Sequence, residues 1–474
     1  MLYPMSLDSS STQRCPGFAQ ALLCFSVIIL IIAIGLFVLA VDLHSLMFFC
    51  LLWAGANARW LGFSYLDIRA LMSSAISRAL PAIYIFILIG MVIASFMHSG
   101  TIATLIYFGL DWLSPALFLP IGLVLCALMS LATGTSWGTV GTLGVVFIGI
   151  GAVMQVPLPI VAGMVVCGAT FGDKMSPISD TTNLAAMSAE TSLYRHIYSM
   201  MFTTIPSFLF TLVIFIGIGL AYSDSSLATD EIDSIRQALF STYQLSPFIT
   251  LIPILVLAGL SMRRVAPEIT MSASVVVAVL IAIAYQGQDF VTTLNALWQN
   301  TPGSTGIADL DELLGRGGIY SMSWTLLLAL MALALGGILH GAKILDTLLS
   351  GIIARVKHVA ALIATTICSG FIGNMAMGEA YISIILNCQL FHAKYEQHHL
   401  DRALLSRSVE EGSTLTTALI PWTTAGAFYT ATLGVPVLDY LPYAFFNYLN
   451  AFISVGMAAL GIGLLSRSKE RDTN

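Results

Sequence analysis

Apolar segments follow one another along almost the whole 474-residue chain, with only short breaks between them. Asp, Glu, Lys and Arg make up 9% of the residues, whereas soluble globular proteins carry about 25%. So few charges cannot cover the surface of a soluble fold, and the segments are too uniformly apolar for the alternating strands of a transmembrane barrel. The sequence therefore predicts an all-α, polytopic protein of the lipid bilayer. It excludes a soluble enzyme, a nucleic-acid binder and a disordered chain.

Several of the apolar segments are shorter than the roughly 20 residues that a helix needs to cross a bilayer. We therefore expect half-helices, re-entrant hairpins or discontinuous spans among them, with roughly seven segments in each half of the chain. The candidate segments are 18–41, 43–58, 80–98, 115–133, 139–155, 160–172, 198–222, 246–262, 268–285, 319–339, 359–373, 378–393, 414–433 and 442–465.

Two pairs of similar stretches indicate an internal repeat. MHSGTIATLIYFGL from Met97 resembles LHGAKILDTLLSGI from Leu339, and DKMSPISDTTNL from Asp173 resembles EEGSTLTTALIP from Glu410. The pairs have the same order and nearly the same separation, although chance similarity between apolar segments is the alternative. The predicted organisation is a first transmembrane repeat at 18–222 and a second at 246–465, with an acidic loop at 223–245 and tails at 1–17 and 466–474.

Loop charges give the predicted orientation of the two repeats. The connection 57–79 is mainly basic, whereas its counterpart 286–318 is mainly acidic. Because basic loops stay on the cytoplasmic side, equivalent loops should lie on opposite sides of the membrane. Inverted repeats of this kind are typical of secondary transporters. The same rule places the loop 223–245 outside and both tails in the cytoplasm, as expected of a multi-pass protein of the inner (plasma) membrane.

Hydroxyl groups and glycines interrupt the apolar pattern at Thr133–Gly144, which reads TGTSWGTVGTLG. Thr135 and Ser136 are candidate ion or substrate ligands, because hydroxyls replace water around a cation or bind freed backbone carbonyls. Close helix packing is an equally good interpretation of the glycine pairs here and at Gly168 and Gly172.

Ionisable residues lie within an otherwise apolar region at Gly168–Asn183, which reads GATFGDKMSPISDTTN. Charges at membrane depth are costly and usually functional, and Pro177 breaks a helix and frees carbonyls. A loop pair at the cytoplasmic surface is the alternative for Asp173 and Lys174. The candidate site residues in this stretch are Asp173, Asp180, Thr181, Thr182 and Asn183.

A matching pattern occurs in the second half, where Pro421 again breaks a hydroxyl-rich stretch. Two broken segments, one from each half, should meet near the middle of the membrane, where helix ends and carbonyls bind small cations. Sodium prefers oxygen ligands, and Asp180 with Thr182 is our predicted sodium-binding pair. The candidate residues of the second half are Asn374, Glu379, Glu410, Glu411, Thr416 and Thr417.

A buried carboxylate can couple two ions. Burial favours its protonated form, whereas a neighbouring cation favours its ionised form. One carboxylate therefore binds either a proton or a sodium ion, and alternating access converts this competition into exchange. The histidines are better explained as residues at the membrane interface, in particular His98 and His340, which occupy equivalent positions in the two repeats.

At these segments the chain resembles the NhaC sodium/proton antiporter family, which is part of a larger group of ion-coupled organic-anion transporters. The similar stretches are TGTSWGTVGTLG (133–144), GDKMSPISDTTNLA (172–185), GRGGIYSMSWT (315–325) and ALIPWTTAGAFYTATLGVP (418–436). The resemblance implicates Thr135, Ser136, Asp173, Asp180, Thr181, Thr182, Asn183, Glu410 and Glu411. Two positions depart from the family pattern: Glu379-Ala380-Tyr381 replaces Asp-Gln-Tyr, and Thr423 replaces Asn after Pro-Trp.

The sequence thus predicts a secondary active transporter, not an enzyme, that exchanges Na+ for H+ and needs no cofactor beyond these transported ions. The alternative is a Na+- or H+-coupled transporter of a small organic acid or amino acid, such as a malate/lactate exchanger. In that case hydroxyls and half-helix N-termini would bind the substrate carboxylate. A channel is a third class, which the paired buried carboxylates disfavour. A homodimer is compatible with the sequence.

Overall fold

The computed structural model describes residues 13–112, 114–222 and 229–465. Residues 1–12 and 466–474 of the predicted tails, and residues 223–228 of the predicted acidic loop, lie outside these described residues. The secondary structure is helical, which confirms the all-α prediction. The helices of the first half are α1 (Phe18–Phe37), α2 (Leu43–Trp60), α3 (Tyr65–Arg78), α4 (Leu80–His98), α5 (Thr101–Trp112), α6 (Pro115–Thr133), α7 (Ser136–Thr139), a π-helical turn (Val140–Gly144), α8 (Val145–Val153), α9 (Leu158–Met175), α10 (Asp180–Ser188) and α11 (Leu193–Ala221).

The second half continues with a similar succession of long and short helices. These are α12 (Thr229–Thr242), α13 (Pro247–Thr250), α14 (Ile252–Met262), α15 (Pro267–Ala284), α16 (Phe290–Trp298), α17 (Ala308–Leu314), a 3-10 turn (Ile319–Met322), α18 (Ser323–Gly341), α19 (Ile344–Ile353), α20 (Val359–Met377), α21 (Ala380–Gln397), α22 (Arg402–Thr417), α23 (Thr424–Leu433), α24 (Val437–Tyr440), a 3-10 turn (Leu441–Tyr443) and α25 (Phe445–Ala459).

Within the described residues, nine helices are long and apolar enough to cross a membrane. The number becomes ten if the bent pair Asp233–Thr242 and Pro247–Met262, with 70° between its parts, forms one span. Other helices, such as α5, α19 and α25, are apolar but too short to cross. The predicted mixture of full spans and shorter membrane segments is therefore present.

The order of helices repeats along the chain. The succession α4, α5, α6, α7–α8, α9, α10 and α11 corresponds in order, and mostly in length, to α18, α19, α20, α21, α22, α23 and α25. His98 and His340 end α4 and α18, while Asp173 and Glu410 lie on the equivalent helices α9 and α22. This order supports the predicted repeat. The opposite orientation of the two repeats in the membrane stays a prediction.

A left-handed glycine produces an abrupt turn at the same place in each half. Gly134 has φ +70° at the end of α6, and Gly378 has φ +68° at the end of α20. A residue with a side chain rarely adopts this conformation, whereas glycine does so without strain. The next residue caps the following helix: Thr135 accepts a hydrogen bond from Gly138 N, and Glu379 accepts one from Ile382 N. Two helical hairpins with capped tips result.

Each half also contains a helix that is broken in the middle. The chain leaves α9 at Met175 and resumes as α10 at Asp180, and it leaves α22 at Thr417 and resumes as α23 at Thr424. Pro177 and Pro421 lie within these two breaks, as predicted. One boundary differs from the prediction, because α9 continues beyond residue 172 and includes Asp173 and Lys174. These two residues therefore belong to a buried helix end and not to a surface loop.

Glycine brings the broken helix of each half into backbone contact with the hairpin before it. A Cβ atom at Gly172 of α9 would lie 2.2 Å from Ala127 O of α6, and one at Gly412 of α22 would lie 2.4 Å from Ile367 O of α20. These distances leave no space for a side chain. The packing interpretation of Gly172 is thus correct, and the helix pairs α6–α9 and α20–α22 are equivalent close contacts.

The orientation of the repeats can be tested with two cysteines in equivalent connections. Ser73, in the basic connection 57–79, and Ser304, in the acidic connection 286–318, are both exposed. In a chain whose native cysteines are replaced, we expect Ser73→Cys to react with a membrane-impermeant thiol reagent only from the cytoplasmic side and Ser304→Cys only from outside. Labelling of both from one side would contradict the inverted repeat.

Candidate functional site

The hairpin tips and the helix breaks of both halves meet in the interior of the protein. Within the first half, Ser176 Oγ donates to Leu131 O (2.8 Å), which fixes the break to the end of α6. Within the second half, Thr424 N donates to Gly378 O (2.8 Å), which fixes the break to the tip of the other hairpin. Each break is thus fixed to a hairpin tip of its own half, and polar contacts between the halves join Lys174 to Glu410 and Tyr381 to Asp180.

Asp173 is buried at the end of α9, where it faces the first hairpin tip. Its Oδ2 accepts a hydrogen bond from Ser136 Oγ at 2.9 Å. Its Oδ1 is buried and makes no hydrogen bond within the described part of the chain, although the Ser179 hydroxyl lies nearby. Buried carboxylate oxygens normally have partners. A buried carboxylate oxygen without a hydrogen-bond donor is able to act as a ligand for a cation.

Lys174 connects the two halves through ionic contacts. Its ammonium nitrogen lies 3.1 Å from Oε1 of Glu410 on α22 and 3.5 Å from Oδ2 of Asp173. It also donates to Thr181 Oγ1 at 2.5 Å. All these side chains are at most 7% exposed. A buried charge is tolerated only when it is paired and hydrogen-bonded, so Lys174 neutralises one of the two carboxylates.

Glu410 has further partners from two other helices. Thr182 Oγ1 of α10 donates to its Oε1 at 3.1 Å. His196 Nε2 of α11 lies 2.6 Å from its Oε2. Glu410 thus joins four elements of the structure, and the prediction that both Glu410 and Thr182 belong to one site agrees with this geometry.

Sequence reasoning missed His196 and Arg407, both of which are completely buried. His196 follows the surface residue Arg195 near the start of a long helix, and this pattern resembles a residue at the membrane interface. In the structure its ring contacts Ser406 and Glu410 of α22, which is distant in sequence. Arg407 precedes Glu410 by three residues on α22, and this helical spacing next to Glu411 was the signal that could have indicated a buried ionic helix.

The rest of the stretch 180–183 divides between the interior and the exposed edge of the site. Asp180 is exposed, and its Oδ2 accepts a hydrogen bond from Tyr381 OH of the second hairpin. Asn183 is also exposed and donates to Pro177 O and Ser179 O, which fixes the break. Asp180 and Thr182 have different partners because side chains two positions apart on a helix point about 200° apart. The structure therefore does not bring together this predicted sodium-binding pair.

The second half contributes a group of amide and hydroxyl side chains to the interior. Asn374 Nδ2 donates to Ser413 O and to Thr416 Oγ1, whereas its Oδ1 is buried without a hydrogen-bond partner among the described residues. The hydroxyl of Thr417 is likewise buried without a hydrogen-bond partner among the described residues. Glu379 is 7% exposed and is used as a helix cap by Ile382 N. Asn374, Thr416 and Thr417 therefore form a second group of candidate ligands, and Glu379 is at the hairpin tip beside them.

Glu411 lies outside the group formed by its neighbour Glu410. It accepts a hydrogen bond from Thr203 Oγ1 at 2.5 Å and lies 3.8 Å from Arg407 Nε. Adjacent residues on a helix point about 100° apart, so the two glutamates face different sides of α22. The predicted pair of glutamates is thus two sites: Glu410 with Lys174, and Glu411 with Arg407.

Two carboxylates, one lysine, one histidine and several hydroxyls in the protein interior can bind a small cation and a proton in exchange for each other. The model of the Na+/H+ antiporter family matches this chain over residues 18–182 and 168–462. These two ranges include every residue of the group around Glu410.

Individual relatives agree with the family match. The Na+/H+ antiporter NhaC of Alkalihalophilus pseudofirmus is 38% identical over 444 residues, which cover 94% of this chain and 96% of that protein. NhaC of Bacillus subtilis is 36% identical over 94% of this chain and 98% of its own. The malate-2H+/Na+-lactate antiporter of B. subtilis is 32% identical over 84% of both chains. With a family model that covers both halves and relatives of this identity along nearly the full length, the chain belongs to the Na+/H+ antiporter family.

Proposed function

We propose that this protein exchanges Na+ for H+ across the membrane as a secondary active transporter that works by alternating access. The observation that carries the proposal is the buried Asp173, whose Oδ1 has no hydrogen-bond partner among the described residues while its Oδ2 accepts a hydrogen bond from Ser136. A carboxylate oxygen, hydroxyls and the carbonyls of a broken helix are ligands that suit a hard cation. The family membership supports the same activity.

In this proposal Na+ binds at the Oδ1 side of Asp173, near the hydroxyls of the first hairpin tip and the break 176–179. Lys174 forms ion pairs with both carboxylates when Na+ is absent, because its ammonium nitrogen lies 3.5 Å from Oδ2 of Asp173 and 3.1 Å from Oε1 of Glu410. Entry of Na+ adds a positive charge to a group that is already paired. A proton must leave if the buried charge is to stay balanced, since unpaired charges in a dry interior are costly.

A coupled transporter of a small organic acid is the second candidate. The relative named malate-2H+/Na+-lactate antiporter supports it, as do the two positions at which this chain departs from the family pattern, around Glu379 and at Thr423. Glu379 is at the hairpin tip, two residues before Tyr381, and Tyr381 contacts Asp180. A solute bound between the two halves would meet these side chains.

One experiment on proteoliposomes separates the two candidates. A pH-sensitive dye reports the internal pH while Na+, Li+ or K+ is added, with amino acids and dicarboxylates added in parallel samples. We expect Na+ alone to move protons and K+ to have no effect. Proton movement only when an organic acid or amino acid accompanies Na+ would reject simple exchange and favour the second candidate.

Asp180 tests whether the exposed edge of the site takes part in binding. Asp180→Asn removes a charge that is accessible to solvent, and exposed charges contribute at most about 1 kcal/mol. We therefore expect the Na+ KM to rise by roughly fivefold while the maximal rate changes little. Tyr381→Phe, which removes the hydrogen bond but not the charge, is the matched control and should leave the KM close to that of the wild type. Complete loss of transport in Asp180→Asn would instead make Asp180 a direct ligand.

A further inference from the structure

A cavity of about 390 Å³ lies apart from the proposed cation site, at one end of the helices. The stretch GRGGIYSMSWT (315–325), which the cation site does not use, supplies part of its wall. The polar side chains that line the cavity come from the connection after α16, from α17 and the residues that follow it, and from the end of α23. They are Gln299, Asn300, Glu312, Arg316, Ser321 and Thr432.

The ends of two membrane-spanning helices give the depth of this cavity. Ile93 lines it from the last part of the span Leu80–His98, and Tyr320 lines it from the first turn of the span Ile319–Gly341. Trp298 and Tyr320 are 57% and 55% exposed, with ring centroids 6.1 Å apart. Exposed Trp and Tyr residues at the ends of spans are typical of the membrane interface. The cavity therefore lies at the level of the lipid headgroups.

Exposed apolar surfaces adjoin the cavity on two helices. On α16, the exposed side chains of Phe290, Leu294 and Trp298 follow one another at intervals of four residues. On α18, those of Trp324 and Leu327 are also exposed, three residues apart. Residues at these spacings share one face of a helix. Such faces contact acyl chains in a membrane, so a lipid that lies against them would place its headgroup at the cavity.

The fold holds the guanidinium of Arg316 at the cavity without a ligand. Asn300 Nδ2 donates to Leu314 O (3.0 Å) and to Arg316 O (2.8 Å), which fixes the loop. A Cβ atom at Gly434 would lie 2.7 Å from Arg316 Nη1, so the glycine leaves room for the guanidinium. Nη1 donates to Leu433 O at 3.1 Å. Arginine has five N–H donors, and the described residues accept only this one hydrogen bond from the guanidinium.

Both signs of charge line the cavity. Glu312 and Arg316 are both in its wall, but they form no ion pair with each other in the described part of the chain. The hydroxyl of Thr432 is 3% exposed and has no hydrogen-bond partner among the described residues, although buried hydroxyls normally have one. A ligand with an anionic phosphate and an ammonium group complements all three side chains.

We propose that this cavity binds the headgroup of a glycerophospholipid that carries a phosphate and a primary ammonium, as phosphatidylethanolamine does. The phosphate oxygens accept hydrogen bonds from Arg316 and Thr432, and the ammonium donates to Glu312. The acyl chains lie on the exposed faces of α16 and α18. This lipid site is separate from the group around Glu410, and binding there does not depend on the proposed Na+/H+ exchange.

Native mass spectrometry of the purified, detergent-solubilised protein gives a dissociation constant for each added lipid. We expect phosphatidylethanolamine to bind more tightly than phosphatidylglycerol, which lacks the ammonium, and phosphatidylcholine, whose methylated ammonium has no N–H group. Arg316→Gln should weaken the binding of phosphatidylethanolamine roughly tenfold, because a charge-assisted contact with the phosphate is lost. Arg355→Gln is the matched control and should bind like the wild type. Arg355 also donates to a main-chain carbonyl (Gly351 O, 2.8 Å) but does not line the cavity.

Glu312→Gln tests the recognition of the ammonium. This variant should bind phosphatidylethanolamine and phosphatidylglycerol with similar affinity, whereas Arg316→Gln should weaken the binding of both lipids. Wild-type affinity of Arg316→Gln for phosphatidylethanolamine would overturn the proposal. So would soluble phosphoethanolamine that binds as tightly as the lipid, since the cavity would then be a site for a soluble ligand.

A second measurement applies if Arg316→Gln does not fold. Phosphatidylethanolamine with a photoreactive group near the top of one acyl chain is crosslinked to the wild type, and the modified peptides are identified by mass spectrometry. Crosslinks within 290–298 or 319–327 support the lipid site, and crosslinks confined to other helices overturn it. None of these results depends on transport activity, so the lipid site and the proposed exchange stand or fall separately.

Discussion

Replacing Asp173 with asparagine is expected to weaken Na+ binding by roughly 10- to 100-fold and to abolish Na+-driven proton movement at low Na+ concentrations. The side chain keeps its size and its hydrogen bond with Ser136, but an amide NH2 group, which cannot bind a cation, takes the place of the oxygen Oδ1. An interaction with a charged group contributes about 1.5–3 kcal/mol, and each 1.4 kcal/mol changes a binding constant about tenfold. Calorimetry with Na+ and the proteoliposome assay measure the two effects.

Asp346→Asn is the matched control for this substitution. Asp346 lies on α19, is partly exposed and pairs with His340 and Lys343, away from the group around Glu410. It loses the same charge but should keep the wild-type affinity. If Asp173→Asn bound Na+ as tightly as the wild type, the cation site would lie elsewhere, and the group around Asn374 would be the next to test.

The buried pair of Arg407 and Glu411 gives the second large effect, on stability. We expect Arg407→Met to lower the free energy of unfolding by about 3–5 kcal/mol, because removal of one partner leaves the other charge buried and unpaired. Glu411 is completely buried, and besides Arg407 it contacts the hydroxyl of Thr203, which donates a hydrogen bond to it. The thermal unfolding midpoint in detergent, followed by intrinsic fluorescence, should fall clearly.

The double variant Arg407→Met/Glu411→Gln provides the control. It removes both charges, and replacement of a whole buried pair is often close to neutral. The thermal unfolding midpoint of the double variant should lie much closer to that of the wild type than the midpoint of Arg407→Met does. A single variant as stable as the wild type would mean that Glu411 is protonated in the native protein and that the two side chains do not form an ion pair.

The sequence predicted the helical class, the two breaks and most of the polar residues, since each leaves a local signal. Pro177 and Pro421 mark the breaks directly, and a charge within an apolar stretch is visible without any structure. The left-handed turns after α6 and α20 were less visible. Gly134 and Gly378 are two among 39 glycines, and their backbone angles follow from the fold.

Assignment of residues to one site or another required the packing of distant helices. Sequence neighbours such as Glu410 and Glu411 were predicted together, but they point to different sides of α22 and have different partners. Lys174 was equally compatible with a surface loop and a buried helix, and only its contact with Glu410, far away in sequence, decides between them. His196 is buried for the same reason. Long-range pairing cannot be read from a single sequence with weak internal similarity.

The backbone contacts at Gly172 and Gly412 determine which parts of the protein are able to move against each other. Where two helices touch through main-chain atoms, sliding by even one residue would create steric overlap, so α6 with α9 and α20 with α22 each behave as one rigid body. The contact between these bodies is of another kind, because the ammonium of Lys174 on α9 lies against the carboxylate of Glu410 on α22. The same carboxylate is contacted by a hydroxyl of α10 and an imidazole of α11. Hydrogen bonds and ion pairs of this kind can be exchanged for water without leaving a cavity. In the alternating-access mechanism proposed above, the boundary along which the two bodies separate would then contain the groups that we propose to bind the ions.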